Sequence, residues 1–302
     1  MNQQAKRNTI RVILLALTSL IIIYFLFDKF VKIDNFYAVF EDASLKLIIL
    51  VLIISMIGPI LSALRWNFIL KISGHGLTFA RSLSVILSAW PLIFIPGRMG
   101  DFARSYPVRK KISFPITSGA TLFEKIIDVI ILLTLSGLGF FLIGNVIIST
   151  ALLLSGIIIL PIVFIVMPKF LNIVPDKISS KIKLIIYIFN FNVLKSRYFF
   201  FTLIMSALNW LVSIIMVWIL FKAFGAQISV IIILAYLPLV IFAGLLPISI
   251  SGLGTRDSAM VAFFISQSSA AQSLAVSLSY FFFGYLIFAI IGLPIFIKEF
   301  RK

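Results

Sequence analysis

Two short motifs hold many of the groups able to do chemistry in this chain. The first is Pro96-Gly97-Arg98-Met99-Gly100-Asp101-Phe102-Ala103-Arg104. The second is Pro247-Ile248-Ser249-Ile250-Ser251-Gly252-Leu253-Gly254-Thr255-Arg256-Asp257. Both run in the order proline, glycines, arginine, aspartate. A guanidinium presents a planar fork of donors that suits phosphate. Proline ends a helix by removing a donor, and the glycines permit tight backbone and close approach. Helix ends freed in this way expose N–H groups that attract anions. Asp101 and Arg104 are three apart, so a helix starting near Gly100 would carry both on one face.

A third cluster, Glu124-Lys125-Ile126-Ile127-Asp128, opens an apolar run. Glu124 and Asp128 are four apart and share a helical face, with Lys125 pointing elsewhere. Three readings stay open for the two acids: an ion pair with Arg98 or Arg104, a substrate contact, or a position at the membrane interface. The substrate-binding candidates are Arg98, Asp101, Arg104, Glu124, Asp128, Arg256 and Asp257. The helix-breaking set is Pro96, Gly97, Gly100, Pro247, Gly252 and Gly254. A competing reading makes both breaks plain loops with charges at the interface.

Other chemistry is poorly provided for. There is no cysteine and one histidine, His75, in a Gly74-His75-Gly76 loop tip. Disulfides, thiolate catalysis and the usual zinc ligand sets are thereby excluded. No nucleophile with a base and no Asp-Asp-x-x-Asp metal motif is evident, so the expectation is a non-enzyme without cofactor or metal.

The elements that must position these residues are membrane helices. Hydrophobic residues make up 62% of the 302 and charged residues only 12%, against about 25% charged in soluble domains. The net charge of +16 falls in gaps between apolar stretches and not on one face. That distribution argues against nucleic-acid binding and for loops facing an anionic membrane surface. Apolar runs long enough to span, or nearly so, are 12–27, 45–64, 126–143, 146–167, 198–222 and 276–297. Asp28-Lys29-Phe30 follows the first run with no small-residue cleavage site, so it reads as an uncleaved span.

Two more apolar runs, 82–95 and 228–246, end at Pro96 and Pro247. A full crossing by 82–95 would carry Arg98, Arg104, Arg109, Lys110 and Lys111 outward, whereas re-entry keeps them inside and obeys the charge rule. Run 228–246 with 258–270 reads as a hairpin from the other side or as two spans. Arg65-Trp66 reads as an interfacial anchor, and Asn209 as a bond to a neighbouring helix. Stretch 168–197, rich in lysine, reads as an interfacial amphipathic helix or a basic loop. The expectation is an all-α polytopic membrane protein with six to eight transmembrane helices and two Pro/Gly-broken or re-entrant hairpins. Residues 1–302 form one integral membrane domain, with an inverted repeat suggested for halves of about 45–143 and 198–297. Lysine and arginine in alternate loops place both termini in the cytoplasm.

In order along the chain, Arg65-Trp66, Pro96-Gly97-Arg98-x-Gly100-Asp101-x-x-Arg104, Glu124-x-x-x-Asp128 and Pro247 with Gly252-x-Gly254-x-x-Asp257 resemble one family. The chain is similar to the flippase-like transmembrane domain of the lysylphosphatidylglycerol synthetase family. It departs in carrying Asp at 101 and 257, where the family usually has Glu, and Lys125 where an Arg often stands between the two acids. The resemblance implies an integral inner-membrane protein of a family whose better-known members move modified phospholipids between leaflets. It also implies a stand-alone membrane domain, since Lys302 follows directly on the last span and no synthetase part is present.

The leading expectation is therefore a lipid translocase of the cytoplasmic membrane, recognising an anionic or lipid-phosphate headgroup. The alternatives are a membrane-embedded transferase or accessory subunit acting on polyprenyl-phosphate or envelope glycolipids, or a small-solute transporter. Homo-oligomerisation and an envelope-biosynthesis partner both stay open.

Overall fold

The structure is a computed structural model, and it describes residues 3–166, 169, 191–246 and 248–301, without the side chains of 3–13, 96–99 and 191–192. Pro247 and most of the 168–197 stretch lie outside the described residues. Within 191–197 the chain forms a 3₁₀ turn, Phe191–Lys195, that leads into a helix. The described residues are helical throughout, with helices α1 (Gln3–Lys29), α2 (Ile33–Glu41), α3 (Leu45–Ser55), α4 (Ile57–Ile72) and α5 (Phe79–Ala89) in the first part. After α5 come two 3₁₀ turns, Trp90–Phe94 and Pro96–Arg104, then α6 (Ser105–Val108), α7 (Phe114–Leu142) and α8 (Val146–Pro161). The second part holds α9 (Arg197–Ala223), α10 (Val230–Leu245), a turn at Ile250–Gly252, α11 (Thr255–Phe264), α12 (Ala270–Phe281), a π turn at Phe282–Leu286 and α13 (Ile287–Phe300).

Five helical stretches are long and apolar enough to cross a bilayer: Leu45–Ile72, Phe114–Leu142, Val146–Val166, Arg197–Ala223 and Ala270–Phe300. A sixth crossing follows if Leu14–Lys29 and Ile33–Glu41, bent by 89°, count as one span. The fold is an all-α polytopic membrane protein, as the apolar runs require. Their outer faces are apolar, with Ile147 85% exposed. Such faces need lipid around them, because in water they would aggregate.

Two helices begin outside the apolar runs. Residues 28–44, between the apolar runs 12–27 and 45–64, contain α2, whose Phe36 and Phe40 pack together at 5.1 Å. Phe40 then reaches Phe224 at 5.0 Å. The run 126–143 is only the end of α7, which begins twelve residues earlier behind Pro115 at its first turn. Two threonines of that first half bond to their own helix: Thr121 Oγ1 donates to Thr117 O at 3.0 Å, and Thr117 Oγ1 to Phe114 O at 3.0 Å. A hydroxyl bonded to its own helix needs no water.

Hydrogen bonds identify the two ends of the bundle. At the first end, Ser44 N donates to Ala223 O at 2.9 Å and Gln272 Nε2 to Phe224 O at 2.9 Å. At the second end, Arg81 Nη2 donates to Pro107 O at 2.6 Å and to Glu299 Oε2 at 3.1 Å. Arg81 begins α5 and Pro107 follows the second 3₁₀ turn, so this segment enters and leaves at the second end. Segment 224–269 holds α10, the turn and α11, and it starts and finishes at the first end. Both broken segments are re-entrant, from opposite sides.

Their tips meet: Ser251 Oγ donates to Ile93 O at 2.7 Å. Each hairpin folds on itself at a glycine. A Cβ on Gly100 would lie 2.2 Å from Leu92 O. Gly252 (φ +78°) lies against Gly244, where a Cβ would be 3.0 Å from the Gly244 Cα. α1 leans on this junction, with Ser19 Oγ accepting from Ile250 N at 2.9 Å. The element order long helix, hairpin, long helix occurs twice, as α3–α4 to α7 and as α9 to α12–α13, with opposite direction.

The chain has no cysteine, so single cysteines report topology cleanly. Thr78→Cys and Ser113→Cys, flanking the first hairpin, are expected to react with an impermeant maleimide from one side of the membrane. Ser229→Cys and Ser269→Cys, flanking the second, are expected to react from the other. Labelling of Thr78→Cys and Ser113→Cys from opposite sides would show that the first hairpin spans.

Candidate functional site

The site forms where α4, α7, α9 and the first hairpin converge. Arg65 lies seven residues before the end of α4, about 10 Å into the helix at 1.5 Å per residue. Glu124 stands ten residues into α7, about 15 Å from its start, and Asp128 one turn deeper. All three are buried. In the bilayer interior an unpaired charge is costly, so these groups must find one another.

They do so as a chain of charge-assisted bonds. Arg65 donates through Nη2 to Glu124 Oε1 at 2.6 Å and through Nη1 to Asp128 Oδ1. Arg104 donates through Nη1 to Glu124 Oε2 at 2.7 Å and through Nη2 to Asp101 Oδ1 at 3.0 Å. Lys125 closes the far end on Asp101 Oδ2. Asp128 Oδ1 also accepts from Ser206 Oγ at 2.7 Å and Trp210 Nε1 at 2.9 Å. Glu124 is thus bridged by two guanidiniums, a geometry that a lysine ammonium does not reproduce.

The network lines a cavity of about 120 Å³. Its charged wall consists of Arg65, Asp101, Arg104, Glu124, Lys125 and Asp128. The remaining polar lining includes Ser55, Ser62, Asn209 and Ser213 from α3, α4 and α9. A smaller cavity of about 30 Å³, large enough for a water molecule, includes Arg256, Ser249 and Ser251 in its lining. Ile93, Tyr280 and Tyr285 belong to the walls of both.

Most of the sequence candidates are gathered by the fold, in two groups. Asp101, Arg104, Glu124 and Asp128 share the larger cavity, and Arg256 lines the smaller one. Asp257 lines neither. It is fully buried and works as a cap: Oδ2 accepts from Gly254 N at 2.8 Å, and Oδ1 accepts from Arg256 Nη2 at 2.8 Å and Ser277 Oγ at 2.6 Å. Gly254, at φ +92°, permits that start of α11. The side chains of Arg98, Pro96 and Gly97 and the whole of Pro247 lie outside the described residues. The backbone of Pro96–Arg104 is a 3₁₀ turn and not the α-helix expected from Gly100 onward.

Three readings are corrected. Arg65 is not an interfacial anchor; it is the centre of the buried network, because the spanning rod continues to Ile72 and carries Arg65 below the surface. The expected ion pair forms between Glu124 and Arg104, but Asp128 pairs with Arg65 instead, because α4 and not the hairpin lies opposite Asp128. Lys125 does not point away; its long side chain reaches back to Asp101. The signal for Arg65 was present as an arginine inside a 28-residue apolar stretch, where an ionisable residue needs a partner.

Fold and site together define a polytopic helical membrane protein with two opposed re-entrant hairpins around a charged intramembrane cavity. The family model described as the lysylphosphatidylglycerol synthase TM region matches residues 10–292. The chain belongs to that family. It is 25% identical over 313 residues to the UPF0104 membrane protein MJ1595 of Methanocaldococcus jannaschii, covering 91% of this chain and 92% of that protein.

Proposed function

We propose that this protein is a lipid translocase of the cytoplasmic membrane, carrying polar headgroups past the hydrocarbon layer through the cavity between its hairpins. The observation that carries this reading is a charged, part-open cavity lined at membrane depth by Asp101 and Lys125, whose side chains remain 23% and 27% exposed. A headgroup crossing the bilayer needs polar partners at that depth. The opposed hairpins supply two boundaries, and Ile93, Tyr280 and Tyr285 form the partition between the two cavities. Alternate opening on either side of that partition would expose the headgroup to one leaflet and then the other. The helix–hairpin–helix halves, read as an inverted repeat, provide the symmetry for such alternation.

Membrane orientation follows the same reading. The second end of the bundle carries Lys71, Arg81, Arg109, Lys110, Lys111 and Arg197, with Lys298 and Arg301 at the C-terminus. We place that end, with both termini, in the cytoplasm. The transferase alternative is less well supported, because the acids lining the larger cavity are each bonded to a guanidinium or ammonium and not arranged as a metal-binding pair.

The test is leaflet exchange of tail-labelled fluorescent lipids in reconstituted liposomes. Wild-type protein is expected to accelerate exchange above protein-free vesicles. Ser62→Trp, which fills the larger cavity from α4, is expected to return the rate to the protein-free level. Wild-type vesicles that exchange no faster than empty ones would end the translocase reading.

A further inference from the structure

Resting on the translocase reading, we infer that the larger cavity selects a zwitterionic headgroup, one bearing both a phosphate and an ammonium, over an anionic one. The charged residues that line it are three cations, Arg65, Arg104 and Lys125, and three carboxylates, Asp101, Glu124 and Asp128. Among the described residues the rest of the polar lining is uncharged, so the described lining is balanced. An anionic headgroup entering alone adds a net charge that nothing in the lining offsets, and in a low-dielectric site that imbalance is heavily penalised. A headgroup with one charge of each sign preserves the balance.

The geometry also indicates where the exchange takes place. Four of the six groups lie deep in the network: Arg65, Glu124, Asp128 and Arg104 have side chains no more than 8% exposed, whereas Lys125 and Asp101 keep 27% and 23%; Arg104 links Asp101 to the deep set. The Lys125–Asp101 pair is therefore the one that opens toward the cavity without unpacking the core. When it parts, Lys125 takes the phosphate and Asp101 the ammonium, each charge trading one partner for another. Arg104 reinforces the phosphate side, since its buried Nε–H has no acceptor among the described residues. Arg104 itself keeps Glu124 and Asp101.

The experiment uses full-length protein in phosphatidylcholine vesicles carrying a trace of tail-labelled phosphatidylethanolamine or phosphatidylglycerol. Wild type is expected to exchange phosphatidylethanolamine about tenfold faster or more, the ratio corresponding to one step of the usual affinity scale. Asp101→Asn leaves the lining net positive and is expected to shift preference to phosphatidylglycerol. Lys125→Gln leaves it net negative and is expected to shift preference to a tail-labelled lipid with a cationic headgroup. If one variant fails to fold, the other still reports. Equal rates for the two lipids in wild type, or an unchanged preference in the folded variants, would overturn the inference.

A second readout separates this inference from the proposed function. Thermal unfolding in detergent is followed with short-chain phosphatidylethanolamine, short-chain phosphatidylglycerol and chain-free glycerophosphoethanolamine. Preferential stabilisation by short-chain phosphatidylethanolamine without any leaflet exchange would leave the headgroup class standing and remove translocation. Exchange without preference would do the reverse. Stabilisation by glycerophosphoethanolamine equal to that by the lipid would identify a soluble zwitterion as the ligand and overturn the lipid assignment.

Discussion

Arg65→Ala is expected to prevent recovery of folded protein, or to lower its thermal unfolding midpoint in detergent more than any other single charge removal in the chain. The reason is what remains behind. Glu124 would keep only Arg104 and a distant Lys125 at 3.9 Å, and Asp128 would keep two neutral donors, Ser206 and Trp210. Removing one member of a buried ion pair costs about 3–5 kcal/mol, a large share of a total stability of about 5–15 kcal/mol. Arg65→Lys should recover little, since one ammonium on a thinner stem does not bridge Glu124 Oε1, Asp128 Oδ1 and Ser206 Oγ together. The triple change Arg65→Met, Glu124→Gln, Asp128→Asn should recover folding without recovering exchange, because it removes the buried charges on both sides. An Arg65→Ala protein as stable as wild type would mean that these groups are not buried together.

Gly100→Ala carries the second large effect, through backbone and not charge. An added Cβ would sit 2.2 Å from the carbonyl oxygen of Leu92 and 2.8 Å from its carbon, and neither atom can rotate away as a side-chain end would. The turn from Pro96 to Arg104 must then lift off the turn from Trp90 to Phe94. That movement shifts Asp101 and Arg104 from Glu124, and Ile93 from Ser251. The expected outcome is a lowered midpoint together with loss of leaflet exchange. Gly74→Ala is the matched control: its φ is +79° but nothing lies within 4 Å of the new Cβ. Its cost should be limited to about 1–2 kcal/mol for left-handed backbone, with exchange kept. Equal behaviour of the two variants would show that the first hairpin does not close on Gly100.

The comparison of chain and fold is instructive at particular residues. The spans were legible because a bilayer admits few solutions: about 20 apolar residues in a row must be a helix that satisfies its own backbone. The re-entry of 82–95 was legible from its length and from the basic residues after it. The polar start of α7 was not, because Thr117 and Thr121 look like a loop until their hydroxyls have a helix to bond to. The true length of α7 then changed the depth assigned to Glu124 and Asp128. Arg65 was misjudged for a related reason, since a position near the end of an apolar run is an interface only if the helix ends there.

Composition, charge spacing and the two proline–glycine breaks were enough to determine a multi-pass helical protein with polar residues concentrated at two interruptions. Those are local properties, set by the solvent each segment demands. Which arginine meets which carboxylate was decided only by the packing of α4 and α9 against α7 and by the meeting of Ser251 with Ile93. Ion partners 59 and 63 residues apart in the chain, such as Arg65 with Glu124 and Asp128, have no spacing rule to announce them. Their pairing exists because helices from distant parts of the chain bury their charged positions at one depth, where each charge needs the others.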